Sequence, residues 1–136
     1  MYNTILIPVD IHHPSIAEKI VNVGKKLSGP GTKIALMYAM EETPSYVENY
    51  LPEGIVEKNR EDAYQRVRAL ARSANVEATV EIRMGPPHNA ILEAAKGLGA
   101  DLIIVGSHRP GLQDYFLGST ASRVVRHADC SVLVER

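Results

Sequence analysis

Four short, nearly continuous apolar runs constrain this chain more than any other feature. They are 4–9 (TILIPV), 33–40 (KIALMYAM), 101–106 (DLIIVG) and 131–134 (SVLV). Each is too short for a buried helix and rich in Ile, Val or Leu, so each reads as a strand. Strands apolar on both faces belong to a parallel sheet covered on both sides. A fifth run, 76–84 (VEATVEIRM), alternates more and reads as a strand near a sheet edge with one exposed face.

Helical patterns separate these strands. Ile16, Ile20, Val23 and Leu27 recur at 4-3-4 spacing, and Gly29-Pro30-Gly31 stops that helix. Residues 56–74 carry Ala63, Val67, Leu70 and Ala74 on one face. Pro86-Pro87 opens a helix bearing Ile91, Leu92 and Ala95 that ends near 97–99. Ala121, Val124, Val125 and Ala128 mark the last helix. The order β-α-β-α-β-α-β-α-β predicts an α/β fold, an open doubly wound five-stranded parallel sheet with helices on both faces. The one long connection, 41–54, holds Pro44, Pro52 and two exposed-looking tyrosines, Tyr46 and Tyr50.

Composition narrows the function. At 136 residues the chain is expected to be a single domain, 1–136. Lys plus Arg number 15 against 16 Asp plus Glu, for a net charge of −1, which argues against nucleic acid as a partner. One cysteine, Cys130, excludes an internal disulfide and a Cys-based zinc cluster, and suits a reducing, cytoplasmic setting. The first residues carry no signal-peptide pattern, and no 18-residue apolar run argues for membrane insertion.

In an open α/β sheet a ligand sits beyond the carboxyl ends of the strands, at the switch point. Strand one ends in Pro8-Val9-Asp10 and strand two in Met40-Glu41. Strand four ends in Gly106, followed by Ser107-His108-Arg109-Pro110-Gly111, then by Gly118-Ser119-Thr120 opening a helix. Glycines allow close backbone approach, a helix start presents free N–H groups, and Arg109 can clamp a phosphate. Together they read as a phosphate cradle. The plain alternative makes Gly118 a turn and Ser119 or Thr120 an N-cap.

Other sites are excluded or weak. Neither G-x-x-x-x-G-K-[ST] nor G-x-G-x-x-G occurs where it is needed. No catalytic triad is supported by placement. A phosphoacceptor receiver domain needs an acid pair after strand one and a lysine after the last strand, and IPVDIHHP and VLVER supply neither. Asp10 reads as a polar ligand contact or as the N-cap of the next helix. His12 and His13 read as solvated, His88 as a helix-capping residue, His127 as exposed, and Cys130 as a small buried residue.

The segment 106–136 (GSHRPGLQDYFLGSTASRVVRHADCSVLVER) resembles the C-terminal signature of the universal stress protein family, the UspA superfamily. TILIPVD and GPPHNAILEAAKGLGADLIIVGSH match the same family in order. Nucleotide-binding members carry G-x2-G-x9-G-[ST]. Gly106 and Gly118-Ser119 fill its ends, Arg109 stands at the second glycine, and eight residues separate it from Gly118. This variant is similar to the F-type branch.

The resemblance implies strand order 3-2-1-4-5 and an adenine nucleotide (ATP, ADP or AMP) as ligand. Pro8, Val9 and Asp10 would line the adenosine, with Asp10 near the ribose or a nucleotide-bound Mg²⁺. Ala39 and Met40 would offer backbone groups to the adenine. Val105 and Gly106 would flank the ribose and phosphates. Arg109, Gly118, Ser119 and Thr120 would hold the phosphates, with Ser107 and His108 in the same turn. It further implies a homodimer through the last strand, Ser131 to Val134, and a stress-response binding module rather than an enzyme. The rivals are a slow ATPase or phosphotransfer enzyme in the same pocket, and an interaction module without nucleotide; a membrane-protein partner stays open.

Overall fold

The computed structural model describes residues 1–107 and 117–136. Five strands form one all-parallel sheet: β1 (Thr4–Pro8), β2 (Lys33–Met40), β3 (Thr79–Met84), β4 (Leu102–Gly106) and β5 (Ser131–Glu135). Their spatial order is β3-β2-β1-β4-β5. The helices are α1 (Pro14–Leu27), α2 (Ser45–Glu48), α3 (Ile55–Ser73), α4 (Pro87–Leu98) and α5 (Ser119–His127). The expected class and strand order are those observed.

Period two explains why the central strands look apolar throughout. Ile5, Ile7, Ile34, Leu36, Leu102 and Ile104 point to one face and pack on Ala17, Ile20 and Val21 of α1 and Ala63, Val67 and Ala71 of α3. Leu6, Ala35, Met37, Ile103 and Val105 point to the other and pack on Ala90, Ile91, Ala94 and Ala95 of α4 and Ala121 and Val124 of α5. Large aliphatic side chains of the sheet meet helix faces that include Ala17, Ala63, Ala71, Ala90, Ala94, Ala95 and Ala121, so the layers sit close.

Three expectations are corrected. The buried face of α1 is Ala17, Ile20, Val21 and Gly24, whereas Leu27 is 37% exposed. In α5, Val124 is buried but Val125 is 47% exposed. The run 76–84 yields strand only from Thr79. Asn75 adopts φ 53°, and the Val76 N–H turns back to the Ala71 carbonyl at 2.9 Å. Val76 is therefore spent on closing α3 in a Schellman-type end. The connection after β2 contains the single turn α2, and Tyr46 and Tyr50 are exposed.

Asp101 joins the amino ends of the two central strands. Its carboxylate accepts the N–H groups of Asn3 and Thr4, both at 2.8 Å, while its own N–H donates to the Thr4 carbonyl at 3.0 Å. The Asn3 and Thr4 bonds favour the ionised carboxyl and hold it below the ordinary aspartate value. A lowered folded value means that the contribution is present above the unfolded pKa and is lost as pH falls through the folded one. Asp101→Asn is therefore expected to lower Tm at neutral pH. The gap from wild type should close as pH drops below 3.8, the ordinary value. Thermal melts from pH 7 to pH 2 check this; a gap independent of pH refutes the clamp.

Candidate functional site

At the carboxyl edge, the chain leaving β1 crosses by α1 to β2, while β4 continues by α5 to β5. The connections depart in opposite directions and open a crevice between β1 and β4, where the ligand of an open sheet belongs.

One wall comes from β1 and β2. Val9 extends the pairing with an N–H to the Met37 carbonyl at 2.8 Å. Asp10 then turns the chain: its Oδ1 accepts the His12 N–H at 2.9 Å, and its carbonyl accepts the His13 N–H at 3.1 Å. His13, not Asp10, occupies the N-cap of α1, with Pro14 as its first residue. Asp10 Oδ2 lies 3.9 Å from His13 Nε2, and the carboxylate remains 42% exposed. It fits one contact to a cation that phosphates already hold; among the described residues no group of three metal-ligating side chains exists.

Ala39 and Met40 divide by alternation. The Met37 carbonyl faces β1, so the backbone groups of Ala39, two residues on, face the same side, beyond the end of β1. Those of Met40 face the other way, and its carbonyl accepts the Gly85 N–H at 2.9 Å. Ala39 is thus the residue whose backbone faces the crevice.

The opposite wall comes from β4 and α5. Ser107, 3% exposed, donates its N–H to the Glu135 carbonyl at 2.8 Å, and its own carbonyl accepts the Gly118 N–H at 2.6 Å. That bond seats the start of α5 on the end of β4. Gly118 is the N-cap, and Ser119 and Thr120 are the first two helical residues, so neither hydroxyl residue caps the helix. Gly118 has no side chain to cap this turn, and among the described residues no acidic side chain lies in it. It offers N–H donors and the positive end of the helix dipole to an anion. His108 and Arg109 lie outside the described residues.

The sequence reading passed over a polar pair beside Asp10. Tyr38 Oη lies 3.4 Å from His12 Nε2, with the two rings edge to face at 6.3 Å. Burial pushes the Tyr38 phenol up; Asp10 and Glu41 add to this and Arg66 opposes it. Arg66 also donates to the Ile11 carbonyl at 3.3 Å. Tyr38 hides inside an apolar run, and only its pairing with His12 marks it.

A shallow groove of about 390 Å³ lies at the amino edge, lined in part by Lys96, His127, Asp129 and Cys130. Burial, Asp101 and Asp129 all raise the Cys130 thiol, which keeps it protonated and a poor nucleophile.

Comparison with known proteins bears on this geometry. The universal stress protein family matches residues 1–136. "Universal stress protein A homolog 2" of Coxiella burnetii is 36% identical over 99% of this chain and 95% of its own. The universal stress protein UspA from Lactobacillus plantarum is 25% identical with TM-score 0.74, covering 99% of this chain and 98% of its own. A universal stress protein solved in complex with cAMP is 21% identical with TM-score 0.66, covering 99% and 97%.

Proposed function

The chain belongs to the universal stress protein family, and on that premise we propose that it binds an adenine nucleotide, ATP by preference, at the β1/β4 crevice and acts as a stress-response binding module. The observation that carries this reading is the first turn of α5, glycine at its N-cap and free of acidic residues, seated on the end of β4 at the same edge as Ala39 and Asp10. A nucleotide has an anion for the amides and an adenine edge for the Ala39 backbone. The fold neighbour with cAMP supports the ligand class.

In this reading Pro8, Val9 and Asp10 line the adenosine, Ala39 meets the base, and Val105, Gly106 and Ser107 flank the ribose. Gly118, Ser119 and Thr120 take the phosphates, joined by His108 and Arg109. Mg²⁺ enters with the phosphates, touching Asp10. The chain works in the cytoplasm as a homodimer through β5, an edge strand whose half-buried Val132, Leu133 and Val134 invite pairing.

Native mass spectrometry of the purified protein tests both parts. The expected species is a dimer with one adenine nucleotide per chain, and ATP that returns chemically unchanged. Millimolar ATP should also raise Tm, because a ligand that binds only the folded state stabilises it by mass action. Mg²⁺ alone should leave Tm where it was. A bare monomer with no thermal shift from ATP overturns the reading.

A further inference from the structure

The connection after β2 concentrates negative charge. Residues 41–57 hold five glutamates, Glu41, Glu42, Glu48, Glu53 and Glu57, and no Lys, Arg or His. All five are exposed, and none forms a salt bridge among the described residues. A shallow groove of about 280 Å³ runs along the second half of this segment. Half-buried Leu51, Ile55 and Val56 line it together with Pro52, and so do Glu48, Glu53 and Glu57. In the turn that leads into it, Tyr46 and Tyr50 are 73% and 87% exposed.

Groove, carboxylates and rings fit one kind of ligand. A single exposed apolar residue is ordinary, but two tyrosines four residues apart offer rigid apolar faces with polar tips, the composition of an interface. Such ring faces attract a guanidinium or an ammonium. Carboxylates beside an apolar groove complement a Lys or Arg side chain, whose aliphatic stem lies on apolar surface while its charged head reaches outward. These carboxylates do not form a metal site, since among the described residues no group of three metal-ligating side chains exists. Nucleic acid and anionic lipid carry the same sign of charge and are repelled.

We propose that residues 41–57 form a docking surface for a basic peptide segment of a partner protein. Lys or Arg stems lie in the groove with their heads on Glu48, Glu53 and Glu57, and Tyr46 and Tyr50 face a neighbouring cation. Glu41 follows the last residue of β2, so the partner sits at the carboxyl edge of the sheet. The segment leads into α3, whose Arg66 holds the Ile11 carbonyl next to Asp10. Docking needs only the charge and the aromatic surface, not a bound nucleotide.

Backbone amide shifts of the nucleotide-free full chain, titrated with a peptide of alternating glycine and arginine, test the assignment. Shifts confined to 41–57 are expected. The affinity should fall as ionic strength rises from about 0.01 M to about 0.15 M and the Debye length shrinks from about 30 Å to about 8 Å. Glu48→Gln with Glu53→Gln should weaken the peptide about fivefold, and Tyr46→Ala with Tyr50→Ala about threefold. All four side chains are exposed, so Tm should stay at the wild-type value. Glu18→Gln with Glu77→Gln removes the same charge from exposed sites elsewhere and should leave the affinity unchanged. A peptide of alternating glycine and glutamate should not bind. Absent binding of the arginine peptide, shifts spread over other faces, or equal losses in the two glutamine pairs overturn the proposal. Light scattering in which Glu48→Gln with Glu53→Gln dissociates the wild-type assembly overturns it as well, because a second copy of this chain is then the occupant.

Discussion

Replacing Ile7 with alanine is expected to remove about 2–5 kcal/mol of folding stability, read as a shift in the urea midpoint at unchanged slope. Ile7 is fully buried at the centre of β1, under α1. Its Cδ1 fills the space that Gly24 leaves on that helix, and a Cβ at Gly24 would stand 2.4 Å from it. The two positions therefore answer each other. Ile7→Val, which deletes Cδ1, should cost about 0.5–1.5 kcal/mol. Gly24→Ala should cost about 1–3 kcal/mol by overpacking, less the gain of about 0.5–1 kcal/mol from helix propensity. The double variant should be more stable than the sum of the two losses predicts, because the atom in conflict is gone. Losses that add within about 0.5 kcal/mol would mean that the two side chains do not meet. The pair matters for function because α1 begins four residues after Asp10, so its seat on β1 sets that wall of the crevice.

The strands were legible because both faces of β1, β2 and β4 are apolar, which leaves no ambiguity of face to resolve. The helix faces were less so. A search for large apolar residues at helical spacing finds Ile16, Val23 and Leu27, yet the residues that touch the sheet include Ala17 and Gly24, whose virtue is small size. Val76 reads as strand by composition and is taken by the end of α3, a local turn that overrides propensity. In the candidate site, the strand-end placement of Asp10 and Gly118 to Thr120 could be read from the sequence, because a ligand of an open sheet belongs where strands end. The division between Ala39 and Met40 could not, since it depends on where β1 stops beside β2. The Tyr38–His12 pair spans 26 residues of sequence. It has no local spacing that announces it; only the fold brings its members together.

Gly106 is where packing and the proposed nucleotide would make the same demand, and the two can be separated. Leu102, Ile104 and Gly106 share the face of β4 that meets α1, and a Cβ at Gly106 would stand 3.0 Å from Cγ2 of Ile16 in the first turn of that helix. Gly106→Val is expected to cost about 1–3 kcal/mol by lifting α1 from the strand end. It should also weaken ATP more than about tenfold, equivalent to 1.4 kcal/mol, because both walls of the crevice are referred to that contact. Gly106→Ala combined with Ile16→Ala removes the Cγ2 that the new methyl meets. If the double variant regains the stability lost in Gly106→Ala but not its ATP affinity, the absence of a side chain at 106 serves the nucleotide directly. If both return together, Gly106 acts only by letting α1 close on β4, and the ligand depends on it through the position of Asp10. Affinity unchanged in Gly106→Val would move the nucleotide away from the β1/β4 switch point altogether.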